Sequence, residues 1–496
     1  MNMKCNILIL SLFFIGGLSI SCAKDSPLKN PYGNKDEDKD DTELKENKDD
    51  ELQIEFPTLM GNNPIITTRY SADPTARVIG DVLYLYPSSD LDVEKELGGK
   101  KFDDINFNAF CMPYYYAYST KNFFDWKEHG KLYGQEDVPW AIKDKYCMWA
   151  PDCIEHNNKY YHYFPTLAIA GGFKVGVAIA DKPGGPFKVQ PNFIEGTDNI
   201  DPNIFIDTDG TPYIIYKGDP YSKIGKLKDS MTEIEGGIKQ LKVVKEGEDE
   251  SKIYTEGPFL FKRKDTYYFT YAYSHNSARS SICYATSDNV FGPYTYKGVI
   301  LQSGDTWTSH HSVVEYNGEW ILFYHNNDIS HEDKMRSVCA DYLHFEPDGT
   351  IKLVEKTKRG IGVVPATRRI EIDRYSTSHK VKIVQSESRF PGNWMLTDVK
   401  NGSFVTYDRV DFNKASYEEV HLHYSSITAK GIVTVSNADT GDVLAKFELD
   451  ATSGDFKTIS TDFLSSEKIG EIDLEISFSG DPSVNAKFDW IQFIKD

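Results

Sequence analysis

The chain has 496 residues, 13% of them aromatic, and a formal net charge of −20 with an isoelectric point near 5.1. That length exceeds one typical domain and argues for two folded units with tails. The negative charge excludes nucleic acid and an anionic membrane surface as partners and leaves a neutral one, such as a glycan, open.

Residues 1–21 carry Lys4, an apolar run over Ile7–Ile15 and small residues before Cys22. The run is too short to span a bilayer, so the segment reads as an export signal. Leu18-Ser19-Ile20-Ser21-Cys22 resembles a relaxed bacterial lipobox, which implies lipidation of Cys22. Ala23-Lys24-Asp25 resembles the surface-export tag of Bacteroidetes lipoproteins. The expectation is an outer-membrane lipoprotein at the cell surface, or facing the periplasm, that meets the membrane only through its lipid. Lys35–Glu51 holds ten acidic residues and four Lys. Such a stretch buries too little to order itself, so 22–52 is read as a solvated tether.

Next comes a repeat. A polar turn followed by Tyr and β-branched residues recurs at Gly80–Tyr86, Asn158–Tyr163, Asp209–Tyr216, Asp265–Tyr271 and Asn317–Tyr324. Turn plus alternation is the hairpin signature. The turns are spaced by 78, 51, 56 and 52 residues, which suits blades of four short strands. The first interval implies an insertion of roughly 25 residues within Asp90–Tyr146. Tyr115–Thr120, Gly176–Asp181 and Cys283–Asp288 look like third strands, each leading to an outer turn. The pattern predicts an all-β chain with a five-bladed β-propeller over 53–366.

Six to nine residues ahead of the five turns stand Asp73, Asp152, Asp201, Glu256 and His310. The innermost strand of each blade lines the central channel, so these groups converge on one axial mouth. Turns also collect Asp for hydrogen-bonding reasons, but five ionisable groups at such similar offsets exceed that tendency. Clustered carboxylates repel one another and push some of their pKa values up. Glycoside hydrolysis needs such a set: one carboxylic acid to protonate the leaving oxygen, one carboxylate on the opposite face, and a third to orient the acid. Cys111, Cys147, Cys153, Cys283 and Cys339 match no zinc or redox spacing.

Residues 367–496 change character. Segments such as Gly431–Val435 and Lys446–Leu449 alternate between Gly, Asn, Asp and Ser turns, which is β-sandwich patterning of the jelly-roll kind.

Ala72-Asp73-Pro74, Trp149-Ala150-Pro151-Asp152, Ile200-Asp201-Pro202, Thr255-Glu256-Gly257-Pro258 and Ser309-His310-His311-Ser312 occur in an order that resembles glycoside hydrolase family 43. The resemblance covers about 310 residues and implies an inverting hydrolase, with Asp73 as base, Glu256 as acid and Asp201 as orienter of the acid. It implies that His310 faces a central calcium ion, although many members carry Gly where this chain has Ser309. It further implies a sugar contact for Arg336, for which a surface salt bridge is the alternative. Asp152 reads as an acidic support of the sugar channel and Trp149 as a stacking wall. Trp307 either stacks on substrate or sits in the core. Ile370–Asp373, Val410–Phe412 and Phe488–Phe493 resemble a family 6 carbohydrate-binding module, which implies a structural calcium held by Glu371, Asp373 and Asp489. Ser453-Gly454-Asp455-Phe456 replaces the stacking Trp of such modules, so sugar binding there is left open. An α-L-arabinofuranosidase of plant-type pentose glycans is the expected activity. The alternatives are a β-D-xylosidase, a β-galactofuranosidase and a non-catalytic glycan-binding surface lipoprotein.

Overall fold

The computed structural model describes residues 61–98, 110–246, 254, 256–274, 279–302, 304, 306–385, 394–427, 430–480 and 486–496. The export segment, Cys22 and the acidic tether lie outside these residues.

Residues 72–342 form five sheets in succession. Four have four consecutive antiparallel strands: Ala72–Ile79 through Trp126–Gly134, Asp152–His156 through Lys188–Val189, Asn203–Ile206 through Ile234–Leu241, and Glu256–Arg263 through Tyr294–Leu301. The short strand Val243–Val244 adds to the outer edge of the fourth. The fifth has only three strands, Ser312–Tyr316, Glu319–Asn326 and Ser337–Tyr342. Four strands were expected in every blade. The missing edge is met by the residues ahead of blade 1: Ile65 N–H donates to Val338 O at 2.7 Å and Ser71 N–H to Arg336 O at 2.7 Å. The two ends of the propeller thus share a blade, and the ring closes.

Period-two alternation explains why these strands bury both faces. In blade 3, Ile214 and Tyr216 pack with Tyr163 and Val177 of blade 2, while Tyr213 and Ile215 pack with Phe269 and Tyr271 of blade 4. The same division recurs around the ring. Tyr86 and Tyr115 meet Phe164 between blades 1 and 2, Tyr268 meets Leu322 and Tyr324 between blades 4 and 5, and Leu83 and Leu85 meet Phe323 and Ala340 between blades 5 and 1. Five interfaces for five sheets is the signature of a closed propeller. Tyr suits these positions because its ring fills the wedge while its hydroxyl reaches a partner, as Tyr163 reaches Met231 O at 2.7 Å.

Polar links stitch the inner strands together. Ala76 N–H donates to Ser312 Oγ, Thr75 Oγ1 to Pro151 O, and Leu260 N–H to Asn203 Oδ1. The first-blade insertion is the connection 89–113, between the second and third strands, and it includes the single-turn helix Val93–Glu96. Cys111, Cys147, Cys153, Cys283 and Cys339 are buried thiols, none of them joined in a disulfide.

The C-terminal region is two facing sheets. One is built on Ser403–Asp411, Glu471–Gly480, Gly431–Asn437 and Val443–Glu448, the other on Trp394–Thr397, Ala486–Lys495, Tyr417–Ser426 and Lys457–Asp462. Val405, Tyr407, Val435 and Ile476 pack against Leu422, Tyr424, Phe488 and Phe493 between them. Val364–Pro365, ahead of the expected boundary at 366/367, already pairs with Val410–Asp411, so the sandwich starts slightly earlier. The sandwich grips the propeller through Arg409, which donates to Glu319 at 2.8 Å, and through Arg374, which donates to Asn63 O at 2.9 Å.

Candidate active site

The inner strands of blades 1, 3 and 4 begin with the same device. Asp73, Asp201 and Gly257 each adopt positive φ (48°, 60° and 61°), and each precedes a proline. Proline disfavours the helical region for its predecessor. Asp tolerates the left-handed region better than most residues, and strain of this kind clusters at functional sites. In blades 1 and 4 the strand register then slips by a bulge. The left-handed residue of blade 4 is glycine, so its carboxylate is Glu256, one residue earlier. A Cβ at Gly257 would lie 3.2 Å from His310 Nδ1, so that imidazole closes over this turn.

Asp73 is 5% exposed. Ser88 Oγ donates to its Oδ2 at 2.7 Å and Arg336 Nη1 to its Oδ1 at 3.0 Å. Its own N–H donates to His325 Nδ1 at 3.2 Å, and His325 Nε2 lies 2.8 Å from Thr308 O. Accepting at Nδ1 fixes the Nε2–H tautomer, and burial holds His325 neutral by pulling its pKa down to about 3. Burial alone would raise the Asp73 pKa, but Arg336, His310, His325 and Ser88 outweigh it and hold the carboxyl below its usual range. Asp73 is therefore held in its ionised form.

Asp201 is placed oppositely. It is buried, and its Oδ2 accepts the Gly257 N–H at 2.9 Å, which sets it beside Glu256. Burial, with the Glu256 charge adding to it, raises its pKa to about 6 despite His310 and Lys217. Glu256 Oε2 accepts from Lys217 Nζ at 2.9 Å. Asp73 is held ionised, whereas Asp201, buried beside the Glu256 charge, is disposed to retain a proton. Pairs of carboxyl groups pushed apart in this way carry acid/base chemistry.

Two sequence expectations need correction. Asp152 is buried, and its oxygens accept from Arg77, Cys153 N–H, Asn203 Nδ2 and Ile204 N–H. It follows its proline where Asp73 and Asp201 precede theirs, which carries it into the strand as a tie between blades 1, 2 and 3. It is no sugar contact. Arg336 is 1% exposed and is neither a surface salt bridge nor a free sugar donor. Its guanidinium spends itself on Asp73, on Asp90 (Nε to Oδ2, 2.9 Å; Nη2 to Oδ1, 3.0 Å) and on Thr308 Oγ1.

Trp149 and Trp307 flank the mouth through a residue that sequence reasoning missed. The Phe110 ring stacks on Trp307 with centroids 5.6 Å apart and lies 3.9 Å from the Arg336 guanidinium, and Phe110 O accepts the Trp149 indole N–H at 3.2 Å. Trp307 is 43% exposed, which removes the core alternative. Sequence reading also missed Ser88, Asp90, Lys217 and His325. The signal available for His325 was an imidazole inside the otherwise apolar strand Glu319–Asn326.

Calcium was expected at two places. Among the described residues no three His, Cys, Asp or Glu side chains converge to hold an ion. At the axis His310 offers a nitrogen and the Asp73 oxygens already accept from Ser88 and Arg336, so these two residues would supply few of the six to eight oxygens that calcium takes from protein and water together. In the sandwich the donor chemistry fits a hard cation better, although the three carboxylates are not gathered around one point. Burial, reinforced by Asp489 and Asp373, pushes the Glu371 carboxyl far up, and burial with Asp373 raises Asp489 to about 6. Asp373 Oδ1 is buried without a partner. Crowded carboxylates with an orphaned acceptor are what a hard cation relieves.

A closed five-bladed propeller whose inner strands bring an ionised Asp73, and a proton-retaining Asp201 beside Glu256, within reach of the same imidazole, His310, carries the carboxyl set of a glycoside hydrolase. The family model for glycosyl hydrolases family 43 matches residues 61–351, and that for carbohydrate binding module family 6 matches 371–495. The chain belongs to glycosyl hydrolases family 43. It is 33% identical over 326 residues to a β-xylosidase of Xylanibacter ruminicola, covering 59% of this chain and 98% of that one. It is 25% identical over 455 residues to an arabinoxylan arabinofuranohydrolase of Bacillus subtilis, covering 80% and 85%. Among solved structures, a family 43 β-xylosidase/α-arabinofuranosidase from a compost metagenome, in complex with xylotriose, aligns with a TM-score of 0.54 at 31% identity, over 60% of this chain and 98% of that one.

Proposed function

We propose that this inverting glycoside hydrolase releases α-L-arabinofuranosyl units from arabinoxylan-type pentose glycans. Asp73 draws the proton from the attacking water, Glu256 protonates the leaving oxygen, and Asp201 keeps the shared proton available to Glu256. The observation that carries the choice of sugar is extent. The arabinofuranohydrolase match runs through both domains, whereas the β-xylosidase match covers little more than the propeller. The higher identity of the latter favours β-D-xylosidase as the second reading. Trp149 and Trp307 supply apolar surface for sugar faces at the mouth, with the buried Phe110 ring bracing Trp307. In the sandwich, Glu371, Asp373 and Asp489 hold a structural calcium ion. The lipobox at Cys22 supports display as an outer-membrane lipoprotein.

The test compares p-nitrophenyl α-L-arabinofuranoside with the β-D-xylopyranoside, alongside arabinoxylan and arabinan. Release of arabinose from polymer with the arabinofuranoside preferred is expected. Preference for the xyloside replaces the sugar, and silence on every substrate leaves a glycan-binding protein. Glu256→Gln is expected to retain p-nitrophenyl cleavage but to lose arabinoxylan cleavage by about 10²-fold or more, because poor leaving groups need the proton. Equal loss on both substrates refutes its role as acid.

A further inference from the structure

Lys217 follows the strand Pro212–Tyr216, and its N–H donates to Ile200 O at 2.9 Å, so its backbone is tied to the residue before Asp201. Its ammonium reaches Glu256 Oε2 at 2.9 Å, with side chains 26% and 19% exposed. No described residue donates to Glu256 Oε1. Among the described residues, the charged and titratable groups around this carboxyl are Lys217 and Asp201 of blade 3 and Tyr254 on the approach to blade 4, with His310 against Gly257.

We propose that Lys217 is a positioning residue of the reaction: by pinning Oε2 of Glu256 it leaves Oε1 to carry the proton toward the leaving oxygen. The inference rests on Glu256 as the acid. A protonated carboxyl accepts at its carbonyl oxygen and donates from its hydroxyl, and Lys217 selects which oxygen is which. As the glycosidic C–O bond breaks, its electron pair goes to the leaving oxygen and the Oε1 proton follows. The negative charge that this leaves on the carboxylate develops against the ammonium, which keeps all three of its own protons. Stabilisation that grows along the reaction lowers the barrier, most of all where proton transfer is far advanced.

A dependence on the leaving group is what a merely structural residue does not produce. Lys217→Met and Lys217→Gln are compared with wild type on arabinoxylan and on p-nitrophenyl arabinofuranoside. The expected result is a loss of kcat/KM about tenfold larger on arabinoxylan than on the p-nitrophenyl substrate. Lys217→Arg is expected to restore the wild-type ratio. Lys217→Gln keeps a polar group at this partly exposed position and carries the test should the Met variant misfold. An acid-deficient Glu256→Gln, with Lys217 variants whose leaving-group dependence overlays wild type, overturns this inference alone. A Glu256→Gln enzyme that still cleaves arabinoxylan overturns the acid assignment beneath it.

Discussion

Arg336→Met removes the cation shared by two buried carboxylates. Removing one partner of a buried ion pair costs about 3–5 kcal/mol, because the remaining charge is left without compensation. Asp73 and Asp90 are both nearly sealed from water, so solvent cannot stand in for the guanidinium. A proton can. In the wild type, Asp73 has its folded pKa below the ordinary 3.8, so it supports the fold above that value and loses the support as pH falls through the folded one. In the variant, burial dominates and the sign reverses. The folded carboxyls then titrate above their unfolded value, and stability falls as pH rises between the two. Each pH unit in that window is worth about 1.4 kcal/mol per group. The penalty is therefore expected near 4 kcal/mol at pH 7 and roughly half that at pH 5. Guanidinium unfolding followed by circular dichroism at both pH values reads the difference. A penalty equal at the two pH values, or below about 1 kcal/mol at pH 7, refutes the reasoning. The acidic limb of kcat/KM should move up in the same variant, since Asp73 must still ionise to accept a proton.

Asp201→Asn should lower activity yet stabilise the fold in alkali. A folded pKa near 6 against 3.8 costs the wild type roughly 3 kcal/mol as pH rises through that window, and asparagine escapes the cost. Thermal melting at pH 8 should be higher than wild type and at pH 3.5 equal to it; the reverse order sinks the assignment. Chelation with EDTA should lower the melting transition of the wild type by several degrees, and calcium should restore it. Glu371→Gln should abolish that response, whereas an EDTA effect surviving in the variant places the ion elsewhere.

The blade count was legible because each hairpin announces itself locally, by a turn followed by alternating Tyr and β-branched residues. Asp73, Asp201 and Glu256 were legible because they sit where that local pattern breaks. Offset along the chain could not show that Asp152 falls on the other side of its proline, a shift that turns a mouth residue into an inter-blade tie. Asp90, Lys217, His325 and Phe110 reach the site from other turns and blades, and only ring closure brings them there. The part that 63–71 plays in closing the fifth blade was invisible for the same reason: its hydrogen-bond partners lie at the far end of the propeller.

That shared blade sets an order of events for a chain made from its N-terminus. Asn63 donates to Ala340 O across 277 residues, and Arg374, later still, takes the Asn63 carbonyl. Until those partners exist, 63–71 is an unpaired segment and blade 1 lacks its neighbour. Contacts this distant in sequence are slow to form, and open strand edges invite pairing with other chains meanwhile. The protein therefore carries its greatest aggregation hazard late in folding, when four blades stand ready and the ring is still open.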